Sequence, residues 1–376
     1  MKSGVVASWL LLSGSLAAVV LWKALPASGS SANSALVTQS WSPRSAAHSL
    51  DDREIWWQNW PRAQKDHGTL CISCHTVVPY ALARPELWRD LRERESAAPE
   101  KVMMASVEKR VSHWSEMVPF YSDAKHGLGK TAESHATEAV LNAIILSAYD
   151  ARLGHLRAIT RTAFDEAWAL QETTGDNAGG WKWQDFHLGP WESSESAYQG
   201  AALLMVEAVN APGEYAREPE MRRHLDLERD YLRRQYAAQP LINQLYVLWA
   251  SAKEPDLLDA DQRKSLFASI QDQQQADGGW RLASIDHHER RDQSPEPAES
   301  DGYATGIAVL AMEESGVARD NQTLNRGLAW LAGHQQKNGS WSALSMNMQR
   351  DPESDAYLFM SDAATGYAVL ALEKAK

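Results

Sequence analysis

Five stretches of the chain are apolar on nearly every side of a helix, and they recur at intervals of roughly 45 to 60 residues. Each carries small residues early and aliphatic residues late. The stretches begin at Glu138, Tyr198, Asn243, Tyr303 and Ala363. A helix that is apolar all round is expected where both of its faces are buried, so this pattern predicts an inner layer of helices.

More charged, amphipathic stretches lie between the apolar ones. Leu225 to Tyr236 and Leu324 to His334 are the clearest examples. One apolar stripe and one polar face are typical of a helix that packs on one side only. Repeats of this size indicate stacked supersecondary units, so we predict an all-α fold of repeated helical hairpins with an inner and an outer layer.

A short signature follows three of the outer stretches, in which a glutamine precedes glycines and a tryptophan. Tryptophan can cap a helix end, a glutamine amide can satisfy free backbone groups there, and glycine permits a tight turn. The copies are Gln171 with Gly179-Gly180-Trp181, Gln274 with Gly278-Gly279-Trp280, and Gln335 with Gly339-Ser340-Trp341. The last copy follows Arg326-Gly327-Leu328-Ala329-Trp330-Leu331.

The signature fits the Q-W repeat of triterpene cyclases, so residues from about 130 to 376 resemble the squalene-hopene cyclase and prenyltransferase superfamily. The resemblance implies an α/α toroid, in which two rings of helices surround a central apolar cavity. It also implies an apolar isoprenoid-type small molecule as the ligand.

The acidic motif with which the cyclases start their reaction is incomplete in this sequence. Proton donation to an alkene needs a strong acid in a pocket without water, and the cyclases supply this acid with the motif D-x-D-D. Here Asp301-Gly302-Tyr303-Ala304 keeps only the first acid, and Asp362 stands alone before the last inner stretch. Neither the D-D-x-x-D motif nor the zinc ligands of prenyltransferases occur in the helical part. Asp301 and Asp362 remain the weak catalytic candidates, as helix N-caps or as acids at a cavity mouth.

Both cysteines lie in Cys71-Ile72-Ser73-Cys74-His75, which is a C-x-x-C-H motif. A thioredoxin-like pair would need a βαβ context, a disulfide would close a tiny strained ring, and zinc would need a second ligand pair. Two thiols followed by an imidazole suit covalent haem. We therefore predict haem c, with thioethers at Cys71 and Cys74 and His75 as the iron ligand.

Two further segments are similar to small c-type cytochromes. Arg84-Pro85-Glu86-Leu87 resembles their G-P-x-L element, which holds the proximal imidazole, although Arg84 replaces the glycine. Pro79 and Pro85 are the expected partners of His75. Met117 begins a segment that resembles the methionine loop of cytochromes c. The sixth ligand is thus Met117, another side chain, or an open position; the other side chains are Met103, Met104, His113, His126 and His135.

The sequence pattern of the N-terminal region predicts that the protein is exported from the cytoplasm. Residues 4–22 form an uncharged apolar run between Lys2 and Lys23, long enough for a signal sequence or a membrane-spanning anchor. We predict a leader or anchor over residues 1–26, a flexible tether over 27–50, a cytochrome c-like haem segment over 51–130, and the toroid over 131–376. A periplasmic protein anchored to the inner membrane is expected.

The charge of the chain limits the kinds of molecule that the protein is expected to bind. The chain has 376 residues, a net charge of -12 and a pI near 5.5, which argues against nucleic-acid binding because phosphates need a basic surface. His287-His288-Glu289 lies in a long polar loop with no complementary ligands, so we expect a solvated loop or a lid there.

The functional expectation is an exported haem c protein whose redox or electron-transfer role is linked to an apolar isoprenoid-type ligand. A haem-dependent oxidoreductase and a redox partner protein are compatible with it. Two alternatives stay open: a terpene cyclase-like enzyme with a non-standard acid, and a non-enzymatic repeat scaffold that carries a haem.

Overall fold

Helices form almost all of the regular structure in the computed structural model, which describes residues 41–286 and 290–376. In chain order they are α1 (Pro43–Asn59), α2 (Val77–Ala83), α3 (Trp88–Leu91), α4 (Ala98–Ser112), α5 (Asp123–His126), α6 (Lys130–Leu153), α7 (Ala158–Ala169), α8 (Ser196–Asn210), α9 (Pro219–Gln235), α10 (Leu241–Ala250), α11 (Ala260–Gln273), α12 (Leu282–Ile285), α13 (Gly302–Glu314), α14 (Gln322–Gly333) and α15 (Phe359–Lys374). A two-stranded antiparallel hairpin, β1 (Gln64–Lys65) and β2 (Thr69–Leu70), follows α1.

The helices form two concentric layers. Helices α2, α6, α8, α10, α13 and α15 each pack on the next, and α15 packs back on α2, so the inner ring is closed. Inner and outer helices alternate along the chain, and outer helices α7, α9, α11 and α14 each pack on the inner helix that precedes them, which gives helical hairpins. Outer helices α1 and α4 pack on the inner helices α2 and α6 that follow them. This arrangement confirms the predicted α/α toroid.

Burial follows the predicted difference between the layers. Inner helix α13 buries every residue from Gly302 to Met312, because it packs on both neighbours and on the outer layer. Outer helix α9 buries one stripe of side chains and exposes the rest. All five predicted inner stretches lie in ring helices, and both predicted outer stretches lie in outer helices.

The three tryptophans of the signature cap the helices that precede them. Their indole N–H groups donate to backbone carbonyls near the ends of the outer helices, from Trp181 to Ala167 (2.7 Å), from Trp280 to Ile270 (2.8 Å) and from Trp341 to Leu331 (2.8 Å). The last carbonyls of a helix lack the usual donor one turn further on; those of Ala167 and Leu331 also accept from the C-cap N–H groups of Leu170 and His334. The capping role predicted for the tryptophans is confirmed.

The glutamines bind each hairpin to the next. The Gln274 amide donates to the Gly278 carbonyl (2.8 Å) and to the Thr323 carbonyl of α14 (2.9 Å). The last copy closes the circle, because the Gln335 amide donates to the Ser42 carbonyl (3.1 Å) and accepts from the Ser42 N–H (2.7 Å). Ser42 is the N-cap of α1, so the final repeat is tied to the first hairpin.

The predicted boundary at residue 130 does not separate two structural units. Helix α2 lies on the N-terminal side of that boundary, yet it occupies a ring position between α15 and α6. All seven of its residues are buried, because the sequence Val-Val-Pro-Tyr-Ala-Leu-Ala is apolar all round. The predicted tether also ends before residue 50, since Ser42 caps α1 and Pro43 is compatible with its first turn.

Two predictions fall outside the described residues, namely the apolar run at residues 4–22 and the segment His287-His288-Glu289. Among the described residues, no helix is both long enough and apolar enough to cross a membrane.

Ring closure can be tested at Gly339. Its φ is +92°, and a Cβ atom there would lie 1.9 Å from the Ser45 carbonyl oxygen in α1. Gly339→Ala is therefore expected to lower the free energy of unfolding by about 3 kcal/mol or more, measured by denaturant titration.

Gly333→Ala is the matched control. Gly333 lies at the end of α14, and no atom approaches a Cβ built there within 4 Å. Alanine should be neutral or stabilising by about 0.5–1 kcal/mol at a helical position. Equal effects of the two substitutions would contradict closure through Gly339.

Candidate functional site

A cavity opens at the end of the ring where the inner helices begin. The haem-motif cavity, as we call it, has about 1080 Å³ of empty space, including its opening to solvent. Its walls come from the loop before α2, the first turns of α6 and α15, and the loop before α8. The lining includes Cys71, Cys74, His75, Thr137, Leu141, Gln184, Trp191, Glu192, Asn347, Arg350, Phe359 and Met360.

Both cysteines line this cavity as free thiols. Cys71 is buried and Cys74 is half-buried. The Trp57 indole donates to the Cys71 carbonyl (2.8 Å), and the Cys71 N–H donates to the Ala63 carbonyl (2.7 Å), which fixes the loop against α1. Burial raises the pKa of Cys71 to about 12 and also raises the pKa of Cys74. Such thiols stay protonated and are poor nucleophiles, unlike the cysteines of a dithiol redox pair.

His75 lies among aromatic rings on the same wall. Its imidazole stacks on Phe359 at a centroid distance of 3.9 Å, meets Trp57 edge-on at 5.3 Å, and contacts Trp191 at 5.9 Å. Burial, together with the nearby Arg53 charge, lowers the pKa of His75 to about 3. The imidazole is therefore neutral, which is the form that binds a metal.

A chain of hydrogen bonds holds one nitrogen of this imidazole. The His75 Nδ1 atom lies 2.8 Å from Thr76 Oγ1, and that hydroxyl donates to Asp362 Oδ2 (2.7 Å). Arg53 binds the same carboxylate through both oxygens, at 2.6 and 2.9 Å. Because the Thr76 proton is donated to Asp362, the Thr76 oxygen accepts from Nδ1–H. The Nε2 lone pair is thereby left free to bind a ligand.

This geometry corrects two expectations from the sequence. Thr76 holds the imidazole, not Pro79 or Pro85. Asp362 is also not a helix N-cap, which was one of the two roles expected for both acids. Asp301 is the N-cap of α13 and accepts from the N–H groups of Tyr303 and Ala304. Asp362 lies inside the first turn of α15, where Arg53 and Thr76 bind it instead.

Asp301 lies outside the haem-motif cavity. It lines a separate cavity with Leu282 and Met346, and its carboxylate also accepts from the Leu282 N–H (2.6 Å). Burial raises the pKa of Asp301 to about 6, while the three backbone donors oppose that rise. Because the Asp301 carboxylate accepts three backbone hydrogen bonds, its role is to stabilise the local backbone. It does not face the thiols of Cys71 and Cys74.

Met117 does not line the haem-motif cavity, and the methionine that does is Met360. Met117 is buried after α4, where its N–H donates to the His113 carbonyl. His135 stacks on Trp114, also away from the cavity. Met360 lies in the first turn of α15, three residues before the last predicted apolar stretch begins, so the sequence pattern gives no signal for it.

Three polar side chains on the cavity wall were also missed. The Gln184 amide is buried, and neither its oxygen nor its nitrogen has a hydrogen-bond partner among the described residues. Burial raises the pKa of Glu192 to about 7. Arg350 makes no hydrogen bond or ion pair with the part of the chain that the structure describes. The cavity thus combines aromatic walls with unpaired polar groups, as a ligand site does.

Tyrosines fill the centre of the ring beneath this cavity. Tyr246, Tyr303 and Tyr367 come from three inner helices, are buried, and contact one another through their rings. The Tyr303 hydroxyl is bound by Gln199 (3.0 Å) and Tyr246 (3.1 Å). Trp191 packs on Tyr303 at 5.3 Å and separates the tyrosines from the cavity.

One family model agrees with the repeat architecture of the C-terminal region. Residues 235–374 match the family model of the squalene-hopene cyclase C-terminal domain, which supports a squalene-hopene cyclase-like superfamily for this region. No curated protein matches the chain. A solved polysaccharide lyase aligns at 11% identity over 92% of this chain and 97% of its own, with a TM-score of 0.38.

The bond between α1 and α15 can be measured by a double-mutant cycle of Arg53→Met and Asp362→Asn. The Asp362 side chain is 4% exposed and that of Arg53 is 19% exposed, so water screens the pair weakly. We expect a coupling free energy of about 1–3 kcal/mol from denaturant unfolding. A coupling below about 0.3 kcal/mol, as at many exposed pairs, would mean that the two side chains do not bind each other.

Proposed function

We propose that this protein is an exported haem c protein in which Cys71 and Cys74 form the thioethers and His75 binds the iron. The observation that carries the proposal is the convergence of both thiols and the imidazole on one aromatic-walled cavity. Residues of α15, distant in sequence, complete the same cavity and hold the imidazole through Thr76.

The residues present fit a haem. The two thiols are unpaired, and Trp57, Trp191 and Phe359 supply flat apolar surfaces. Haem also carries carboxylates, which need a cationic partner in a protein interior. Arg350 is a cation on the cavity wall that binds no other described residue.

The protein's own residues would set the properties of that site. When bound, haem supplies a one-electron couple. Thr76 and Asp362 fix the orientation and tautomer of His75 and make its imidazole a stronger electron donor. The aromatic walls would limit water, and Met360, not Met117, is the methionine that would face a haem held there.

The filled centre of the ring favours electron transfer to a partner protein over substrate chemistry. The cyclase resemblance implies an apolar cavity there, but Tyr246, Tyr303 and Tyr367 occupy it. An isoprenoid-type ligand would therefore share the haem-motif cavity with the haem. A cyclase with a non-standard acid is disfavoured, because Asp301 is engaged as a helix cap away from that cavity.

Haem attachment can be tested by producing the protein with a periplasmic haem-attachment system. Wild type is expected to keep its haem through denaturing acid-acetone extraction, because thioether bonds survive it. Cys71→Ser with Cys74→Ser should lose the covalent mass increase of one haem, measured by intact-protein mass spectrometry.

Met117→Leu is the control and should retain full attachment, because its side chain lies outside the cavity. Wild-type protein without covalent haem would overturn the proposal. Retention of covalent haem by the double serine variant would equally contradict it.

The hydrogen-bond chain to His75 predicts a shift in reduction potential. Thr76→Val removes the hydroxyl that accepts from Nδ1–H, so the imidazole donates less electron density and the ferric state is less stabilised. The reduction potential of the haem protein should therefore move to more positive values, measured by spectroelectrochemical titration.

Thr162→Val provides the comparison, because Thr162 is an exposed helical threonine whose hydroxyl bonds only the Ala158 carbonyl of its own helix. It should leave the potential unchanged. An unchanged potential in Thr76→Val, with haem attached and the fold intact, would show that Thr76 does not act on His75.

A further inference from the structure

A second large cavity lies at the opposite end of the ring, where the inner helices end. This C-terminal basin has about 1930 Å³ of empty space, including its wide opening to solvent. It is lined by the last turns of α2, α6, α8, α10, α13 and α15. Its apolar wall consists of Leu82, Val206, Trp249, Leu310 and Leu370. None of these residues lines the haem-motif cavity.

Most charged side chains of the basin are paired with one another. Lys374 binds Glu314 (2.9 Å), and Lys376 binds Glu373 (2.8 Å). Arg152 binds Glu86 and donates to the carbonyls of α2 and α6. Arg89 also lines the basin and lies 3.9 Å from Glu373, so each of the four cations has a carboxylate partner.

Glu207 is the exception. It lies in the last turn of α8, lines the basin, and is only 6% exposed. Its carboxyl group makes no hydrogen bond or ion pair with the described residues, and Arg152, whose positive charge acts on it, is engaged elsewhere. Burial raises the pKa of Glu207 to about 8, with Arg152 opposing the rise and Glu86 and Glu314 adding to it.

The position of Glu207 is unfavourable for an unpaired acid. A buried carboxylate without a partner costs free energy, and the C-terminal end of a helix carries partial negative charge that adds to the cost. Several inner helices end at this basin, so their partial charges act together on a bound cation. The same features that penalise Glu207 would stabilise a positively charged ligand.

We propose that the C-terminal basin binds a small organic cation, an ammonium or guanidinium group on an apolar stem, with Glu207, which releases its proton to solvent as the cation binds, as its anionic partner. The apolar wall and the Trp249 ring would contact the stem, and an aromatic face also attracts a cation. A calcium ion is a poorer occupant, because it needs six to eight oxygen ligands. No group of three or more metal-ligating side chains occurs among the described residues.

The test is isothermal titration calorimetry on the full chain with three probes. Benzylamine and agmatine carry the two cationic groups, and benzyl alcohol has the stem of benzylamine without its charge. Wild type is expected to bind the two cations and not the alcohol. Glu207→Gln keeps the size of the side chain and should weaken cation binding by at least about tenfold, because it removes the buried charge partner.

Glu228→Gln is a matched control. Glu228 is 0% exposed, and neither of its carboxyl oxygens has a hydrogen-bond partner among the described residues, but it lies in outer helix α9 away from the basin. This variant should bind both cations as wild type does. The proposal is overturned if wild type binds neither cation, if Glu207→Gln binds them equally well, or if Glu228→Gln loses as much affinity.

Discussion

The contact between α15 and α2 is the constraint on which the site depends. It closes the inner ring, and it brings Asp362 to Thr76 and Arg53 across sequence separations of 286 and 309 residues. Without that contact, the C-x-x-C-H loop would lack the residues of α15 that complete its cavity. Closure of the repeat and construction of the site are therefore the same structural event.

Buried ion pairs hold the first hairpins in register with the rest of the ring. Arg110 of α4 binds Glu138 of α6, and both side chains are almost fully buried. Arg84, just after α2, binds Asp51 of α1 and Glu93. Replacement of such pairs by apolar residues is often tolerated, but loss of one partner is costly. An arrangement of the helices that separated such a pair would leave a buried charge without a partner. The buried ion pairs therefore favour the observed packing over alternatives more than they increase the free energy of unfolding.

The sequence predicts the fold well because apolar periodicity and the Q-W signature are local. It misses the ring position of α2, because that helix has only seven residues and follows the motif that dominates the interpretation of the segment. The partner of His75 could not be found either, since Thr76 is adjacent but Asp362 lies at the far end of the chain. Met360 was missed for a different reason: it lies just before the predicted apolar stretch, and its local sequence does not show that it faces a cavity.

Unfolding of the protein produced with the proposed haem tests the central claim most directly, namely that the C-x-x-C-H loop and the toroid form one cooperative unit. Guanidinium unfolding would be followed in parallel by haem absorbance, which reports on His75, and by far-UV circular dichroism, which reports on the helices. We predict a single transition with the same midpoint by both signals. Two separate midpoints, with the haem signal lost while the helices persist, would contradict the account.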